Sequence, residues 1–207
     1  MDLIRSVQPG GPYWLAGWSM GGLLAFEVAG QLSRAGAAVC PVLLFDSHVT
    51  RIADQDMRLG YSDAELFVHV FWRSFRLQCD KATDLKEGAA LSYVIGRAKE
   101  HGLVTPDYTL ERAERQLAVV RQNIRAARMY TPLVYCGDVL LIRAKAESGV
   151  PYVEDAGWSR YVSGSLTVCH VDANHNDILR YPCVAAVAQQ IKQVVRIHEG
   201  QSDRNTH

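Results

Sequence analysis

The chain has 207 residues, and its 22 Lys plus Arg balance 22 Asp plus Glu, giving zero formal charge at pH 7. That length suits one domain with a sizeable core, and the neutral balance leaves no electrostatic footprint for nucleic acid or an acidic membrane surface. No apolar run approaches the ~20 residues that span a bilayer, and five scattered cysteines without a Cys-x-x-Cys pair read as buried thiols, with no catalytic or metal role, in a reducing, cytoplasmic setting.

In chain order, residues 2–8 read as the end of a helix without signal-peptide layout, and Pro9-Gly10-Gly11-Pro12 as a turn. Residues 13–17 are apolar and aromatic, as in a buried parallel strand. Residues 20–35 follow as a helix with apolar positions at Met20, Leu24, Val28 and Leu32, and Gly36 marks its end. Residues 38–45 form a second strand, weakened early by Pro41. Strand, helix and strand make a βαβ unit and imply a parallel sheet.

The next segment changes character. Ser62-Asp63-Ala64-Glu65 is a capping box opening an apolar helical stretch through Phe75; further helices are expected over 87–100, stopped by Gly102, and over 110–129, capped by Thr109. Three helices exceed a simple crossover and imply a helical insertion at about 54–132 within a single domain of 1–207. Its aromatic surplus suits a lid over an acyl-binding pocket, although ordinary core packing accounts equally well for any one of these rings. Strands are expected again at 139–142 and 166–171, separated by a loop at 147–151 and a short helix at 158–161. A polar loop at 172–177 precedes a last helix over 182–198, and the polar tail beyond it frays.

The chemistry gathers around Gly17-Trp18-Ser19-Met20-Gly21. With 16 glycines in the chain the bare pentapeptide is weak, and the bland reading of Ser19 is a turn or N-cap serine. Its place between an apolar strand and an amphipathic helix is what a nucleophile elbow requires. The flanking glycines tolerate a strained, crowded backbone, and the helix behind the serine aims its positive end at the place where an oxyanion would form. A serine hydroxyl needs a base, usually histidine oriented by a carboxylate, and in an open parallel sheet such groups collect at the carboxyl ends of strands. Of seven histidines, His175 lies in the loop past the last strand. His48 competes less well, being close to the strand end where the acid is expected. For the acid, Asp46 directly follows Leu43-Leu44-Phe45, where an apolar setting penalises a carboxylate without partners. Glu147 in the following loop is the runner-up, with Asp155 beyond it.

Residues 8–48, containing this elbow, its helix and the strand ending Leu44-Phe45-Asp46-Ser47, resemble the thioesterase domains that end nonribosomal peptide and polyketide synthases. Gly157-Trp158, the run Leu-Thr-Val-Cys-His-Val and Asn174-His175 before Ile178-Leu179 resemble that family's closing segment, with Ala173 and Asn176 where it usually carries a glycine and an aromatic. The resemblance implies an α/β-hydrolase fold with a mostly parallel sheet, and it favours Asp46, 27 positions after Ser19, over Glu147. It implies a Ser19, Asp46, His175 triad with the Met20 amide in the oxyanion hole. It also implies an acyl or peptidyl thioester substrate carried on the phosphopantetheine of a carrier protein, with no metal and no bound cofactor. Tryptophan before the serine is more like integrated terminal domains than free-standing ones. The family places roughly sixty residues ahead of the elbow strand, including part of the oxyanion hole; the resemblance thus implies a chain N-terminally truncated relative to the family pattern. A generic serine esterase or lipase, and a catalytically impaired carrier-binding fragment, are the rival readings.

Overall fold

The computed structural model describes residues 1–49, 60–68, 87–145 and 153–202. Calls on the sequence beyond Val68 in the first inserted helix, on Glu147 and on Cys79 fall outside these residues. The chain divides into two compact units, Met1–Thr50 with Tyr130–His207, and Arg51–Met129.

In the first unit, α1 (Asp2–Val7) precedes β1 (Ala16–Trp18), α2 (Met20–Arg34) and β2 (Val42–Phe45). The chain returns through β3 (Val139–Ala144), a single 3-10 turn (Trp158–Arg160), β4 (Leu166–Val171) and α6 (Cys183–Ser202). The four strands form a parallel sheet in the order β1-β2-β3-β4, as an α/β chain of strand-helix-strand units requires. The first two strands are shorter than their apolar runs suggest. Tyr13 and Val39 meet only in an isolated bridge, and Pro41, having no N–H to give the ladder, separates that bridge from β2.

Period-two alternation divides the buried strands between two faces. Leu43 and Phe45 of β2 and Leu140 and Ile142 of β3 share a core with Val171 of β4, Ile178 of the loop after it and Val187 of α6. On the other side α2 lies against β1 and β2. Its buried stripe is Gly22, Leu23, Ala25, Phe26, Ala29, Gly30 and Leu32. Leu24, expected inside, is 59% exposed: the small residues let the helix approach the sheet closely, and a pattern of large apolar residues alone misses them. The cysteines also differ from expectation, since Cys136 is exposed and Cys169 and Cys183 are half-buried, while Cys40 is buried. Cys136 lies in the connection leading into β3, with its Sγ 3.9 Å from the Ser33 hydroxyl of α2.

The second unit contains α3 (Asp63–Phe67), α4 (Glu87–Glu100) and α5 (Leu110–Met129) around its own core of Leu66, Phe67, Leu91, Val94, Tyr108 and Leu117. Ser62 caps α3 through the expected reciprocal bonds with Glu65, and Thr109 accepts the Arg112 amide at the start of α5. Arg121 of α5 ties back to Asp63 at 2.8 Å and to the Tyr61 carbonyl. Among the described residues, no helix is long and apolar enough to cross a membrane.

Candidate active site

Strand register builds the site. Trp18 pairs with Phe45, Phe45 with Ile142, and Ile142 with Cys169. The residues one step further, Ser19, Asp46, Arg143 and His170, therefore stand in a row at the carboxyl edge of the sheet. The Ser19 amide donates to the Phe45 carbonyl at 2.9 Å, and the Asp46 amide to Ile142 at 2.8 Å, locking two of them in place.

The turn at Ser19 is strained, with φ 55° and ψ −123°, a region that non-glycine residues rarely occupy. Its neighbours permit it. A Cβ on Gly17 would stand 2.1 Å from the Gly21 carbonyl oxygen, and one on Gly22 would stand 2.4 Å from Ser47 Oγ. Gly21 itself has open space, so the second close approach belongs to the glycine just after the pentapeptide. Met20 begins α2, and the first amides of a helix have no intrahelical acceptor.

His175 comes from the loop after β4. Asn174 shapes that loop by accepting the amides of Asn176 and Asp177, both at 3.0 Å, while the fully buried Ile178 anchors its end. Ala173, which departs from the resembled pattern, is buried in the sheet core. The imidazole then reaches Asp46 Oδ2 through Nδ1 at 2.8 Å and Ser19 Oγ through Nε2 at 3.0 Å. With Nδ1–H donating to an ionised Asp46, Nε2 is left to accept the serine hydroxyl.

Asp46 is 1% exposed and holds φ 43°. Burial by itself raises its pKa; bonds and charge from His175 and His48 outweigh burial and hold the carboxyl well below the usual carboxylate range. Its second oxygen, Oδ1, accepts the Ala144 amide and Arg143 Nε, both at 3.2 Å. Arg143 is 5% exposed, and its remaining reach goes to the carbonyls of Val153 and Glu154. His48 Nε2 lies 3.6 Å from the same Oδ1, so the lesser histidine candidate attends the carboxylate and not the serine. Asp155 accepts the amides of Gly157 and Ser159, each at 3.0 Å; it caps the 3-10 turn and is not drawn into the cluster. Trp158, fully buried, donates to the Ser47 carbonyl at 2.9 Å and secures the loop after β2.

Sequence reasoning missed Arg143. The available signal was a cation inside the otherwise apolar run Val139 to Ala144, which a buried strand accepts only opposite a counter-charge. Asp46, His48 and His175 also bring potential ligand atoms within 4.8 Å of one another. The Arg143 guanidinium already supplies positive charge at Asp46 Oδ1, which disfavours a cation there.

The family model described as "Thioesterase domain" matches residues 1–194. Malpinin synthetase of Mortierella alpina is 28% identical over 199 residues, covering 95% of this chain and 2% of that protein. Polyketide synthase PksR of Bacillus subtilis is 30% identical over 142 residues, covering 63% of this chain and 6% of the synthase. The chain thus spans a small fraction of these relatives. Among solved structures, a four-domain nonribosomal peptide synthetase bound to AMP and glycine superposes with a TM-score of 0.76 at 26% identity, covering 93% of this chain and 15% of that one. The thioesterase domain described in the cyclisation of the lipopeptide antibiotic surfactin gives 0.55 at 21% identity, covering 94% and 71%; at that identity the likeness is one of fold.

Proposed function

This chain belongs to the thioesterase domain family, and from that premise we propose that it releases an acyl or peptidyl chain from the phosphopantetheine thioester of a carrier protein through an acyl-serine intermediate. The observation that carries the reading is the continuous hydrogen-bonded chain Ser19 Oγ, His175, Asp46, with links of 3.0 and 2.8 Å. His175 Nε2 takes the Ser19 proton as Oγ attacks the thioester carbonyl carbon. The C–S bond then breaks, and the imidazolium returns that proton to the departing thiolate. Water, or an amine or hydroxyl within the bound chain, next attacks the acyl-serine while His175 takes its proton; the C–Oγ bond breaks and the imidazolium returns the proton to Ser19 Oγ, giving a free acid or a macrocycle. Asp46 fixes the tautomer and steadies the imidazolium. The Met20 amide, at the positive end of α2, donates to the oxyanion. Carrier-protein domains are the partners, phosphopantetheine arrives on the carrier, and the chemistry needs no metal. We read the helical insertion at about 54–132 as the part of the same domain that selects the acyl chain.

A fluorophosphonate probe followed by intact-mass measurement tests the nucleophile: the native chain gains one phosphonyl adduct and Ser19→Ala gains none. Undiminished labelling of Ser19→Ala removes that residue from the scheme. Presenting one acyl group both as a carrier-bound thioester and as a simple oxygen ester tests the substrate class. Preference for the carrier-bound form supports the proposal; equal turnover favours a general esterase, and carrier binding without turnover favours an impaired docking module.

A further inference from the structure

Trp18 makes two contacts to one residue far away in sequence. Its indole stacks on the His175 ring with centroids 5.0 Å apart and planes inclined by 30°. Its Nε1–H donates to the His175 backbone carbonyl at 3.0 Å. The two imidazole nitrogens are engaged at the ring edge by Asp46 and Ser19, which fix the ring within its own plane. Neither bond resists tilting out of that plane. The indole face does, and the indole N–H holds the backbone from which the ring swings. At 40% exposure Trp18 is not a core residue, so core packing does not account for an indole at this position.

We propose that Trp18 is a positioning residue for His175, holding the imidazole against out-of-plane rotation through the indole face and its backbone through the indole N–H. It adds to the triad reading and rests on it for its catalytic meaning. Physically, an aromatic face attracts a cation, and His175 becomes cationic whenever it takes the Ser19 proton. Among the described residues, the charged and titratable groups around this ring include Asp46 from the end of β2, in direct contact, and His48 and Arg143, which reach the other carboxylate oxygen. Asp177 lies on the histidine's own loop and is held by Asn174.

The first test needs no substrate. A protonated imidazole quenches the emission of an indole stacked on it, so tryptophan emission of the full chain is expected to be lower in acid than at neutral pH. That component should vanish in both His175→Gln and Trp18→Phe. Any signal from Trp14, which meets His198 edge-on at 5.6 Å, should persist in both variants and serves as the internal control. If His175→Gln leaves the pH-dependent emission of the native chain intact, the proposal is overturned.

The second test is steady-state kinetics, or the rate of fluorophosphonate labelling. Trp18→Leu removes both contacts and should lower kcat and the labelling rate about tenfold through misplacement of the base, with KM little changed. Trp18→Phe keeps a ring face and loses the N–H, so it should recover part of that loss. Circular dichroism and thermal melts verify that each variant is folded. A folded Trp18→Leu with native kcat and labelling rate overturns the proposal. Should Ser19 prove unreactive while the emission titration behaves as described, the triad reading fails and the contact stands; reactive Ser19 without the emission component defeats the positioning role alone.

Discussion

Asp46 concentrates the electrostatics of the molecule. It is a buried carboxylate facing two histidines, an arginine and a backbone amide, and its folded pKa is depressed. A depressed carboxyl contributes stability in full above its unfolded value, near 3.9, and that contribution is lost as pH falls from there through the folded pKa. Asp46→Asn leaves Arg143 buried beside a neutral amide, at an expected loss of about 3–5 kcal/mol at pH 7. Urea unfolding should show this gap between variant and native chain at pH 7 and a smaller one at pH 3. An equal gap at both values contradicts the assignment of a charged Asp46. The same substitution should lower kcat by about 10⁴, because the amide no longer holds His175 in the tautomer that accepts the serine proton.

At the level of elements, the closeness of α2 to the ends of β1 and β2 decides where Ser19 points. Of two adjacent glycines, only Gly22 is required by that closeness. Gly22→Ala drives a methyl group to 2.4 Å from Ser47 Oγ and 2.5 Å from Ser47 Cβ. Overpacking of this kind costs about 1–3 kcal/mol, and it pushes on the residue next to Asp46. Gly21→Ala meets nothing within 4 Å and replaces a poor helix former in α2, a gain of up to ~1 kcal/mol. Thermal melts should therefore place Gly22→Ala below the native chain and Gly21→Ala level with it or above; the reverse order contradicts the close approach described for α2.

On the scale of the whole molecule, each of the two units has buried packing of its own among the described residues. The sheet with α2 and α6 carries Ser19, Asp46 and His175, while α3, α4 and α5 enclose a separate cluster around Leu66, Phe67 and Leu117. Separate cores open as separate cooperative units. Phe67 is fully buried, and Phe67→Ala should cost about 3–5 kcal/mol locally. Hydrogen exchange of the full chain is expected to show protection falling across α3, α4 and α5 while the amides of β1 to β4 keep theirs. Equal loss in both units shows that they unfold together.

The sequence alone determined, to within a residue, where strands end and helices begin around the site: the expected strand at 13–17 ends one residue later, at Trp18 before a strained serine, while Phe45 before a carboxylate and Val171 before the loop that holds His175 end theirs as expected. These depend on local pattern and turn chemistry, which neighbouring residues encode. The helix-facing stripe was only partly legible, because Gly22, Ala25 and Ala29 pack by being small and leave no apolar signature. Tertiary structure alone decided that Arg143 and His48 share the second oxygen of Asp46, and that the Trp18 indole covers a histidine 157 residues away. Such meetings follow from parallel register and loop closure, which the packing of the whole sheet fixes and no local stretch of chain contains.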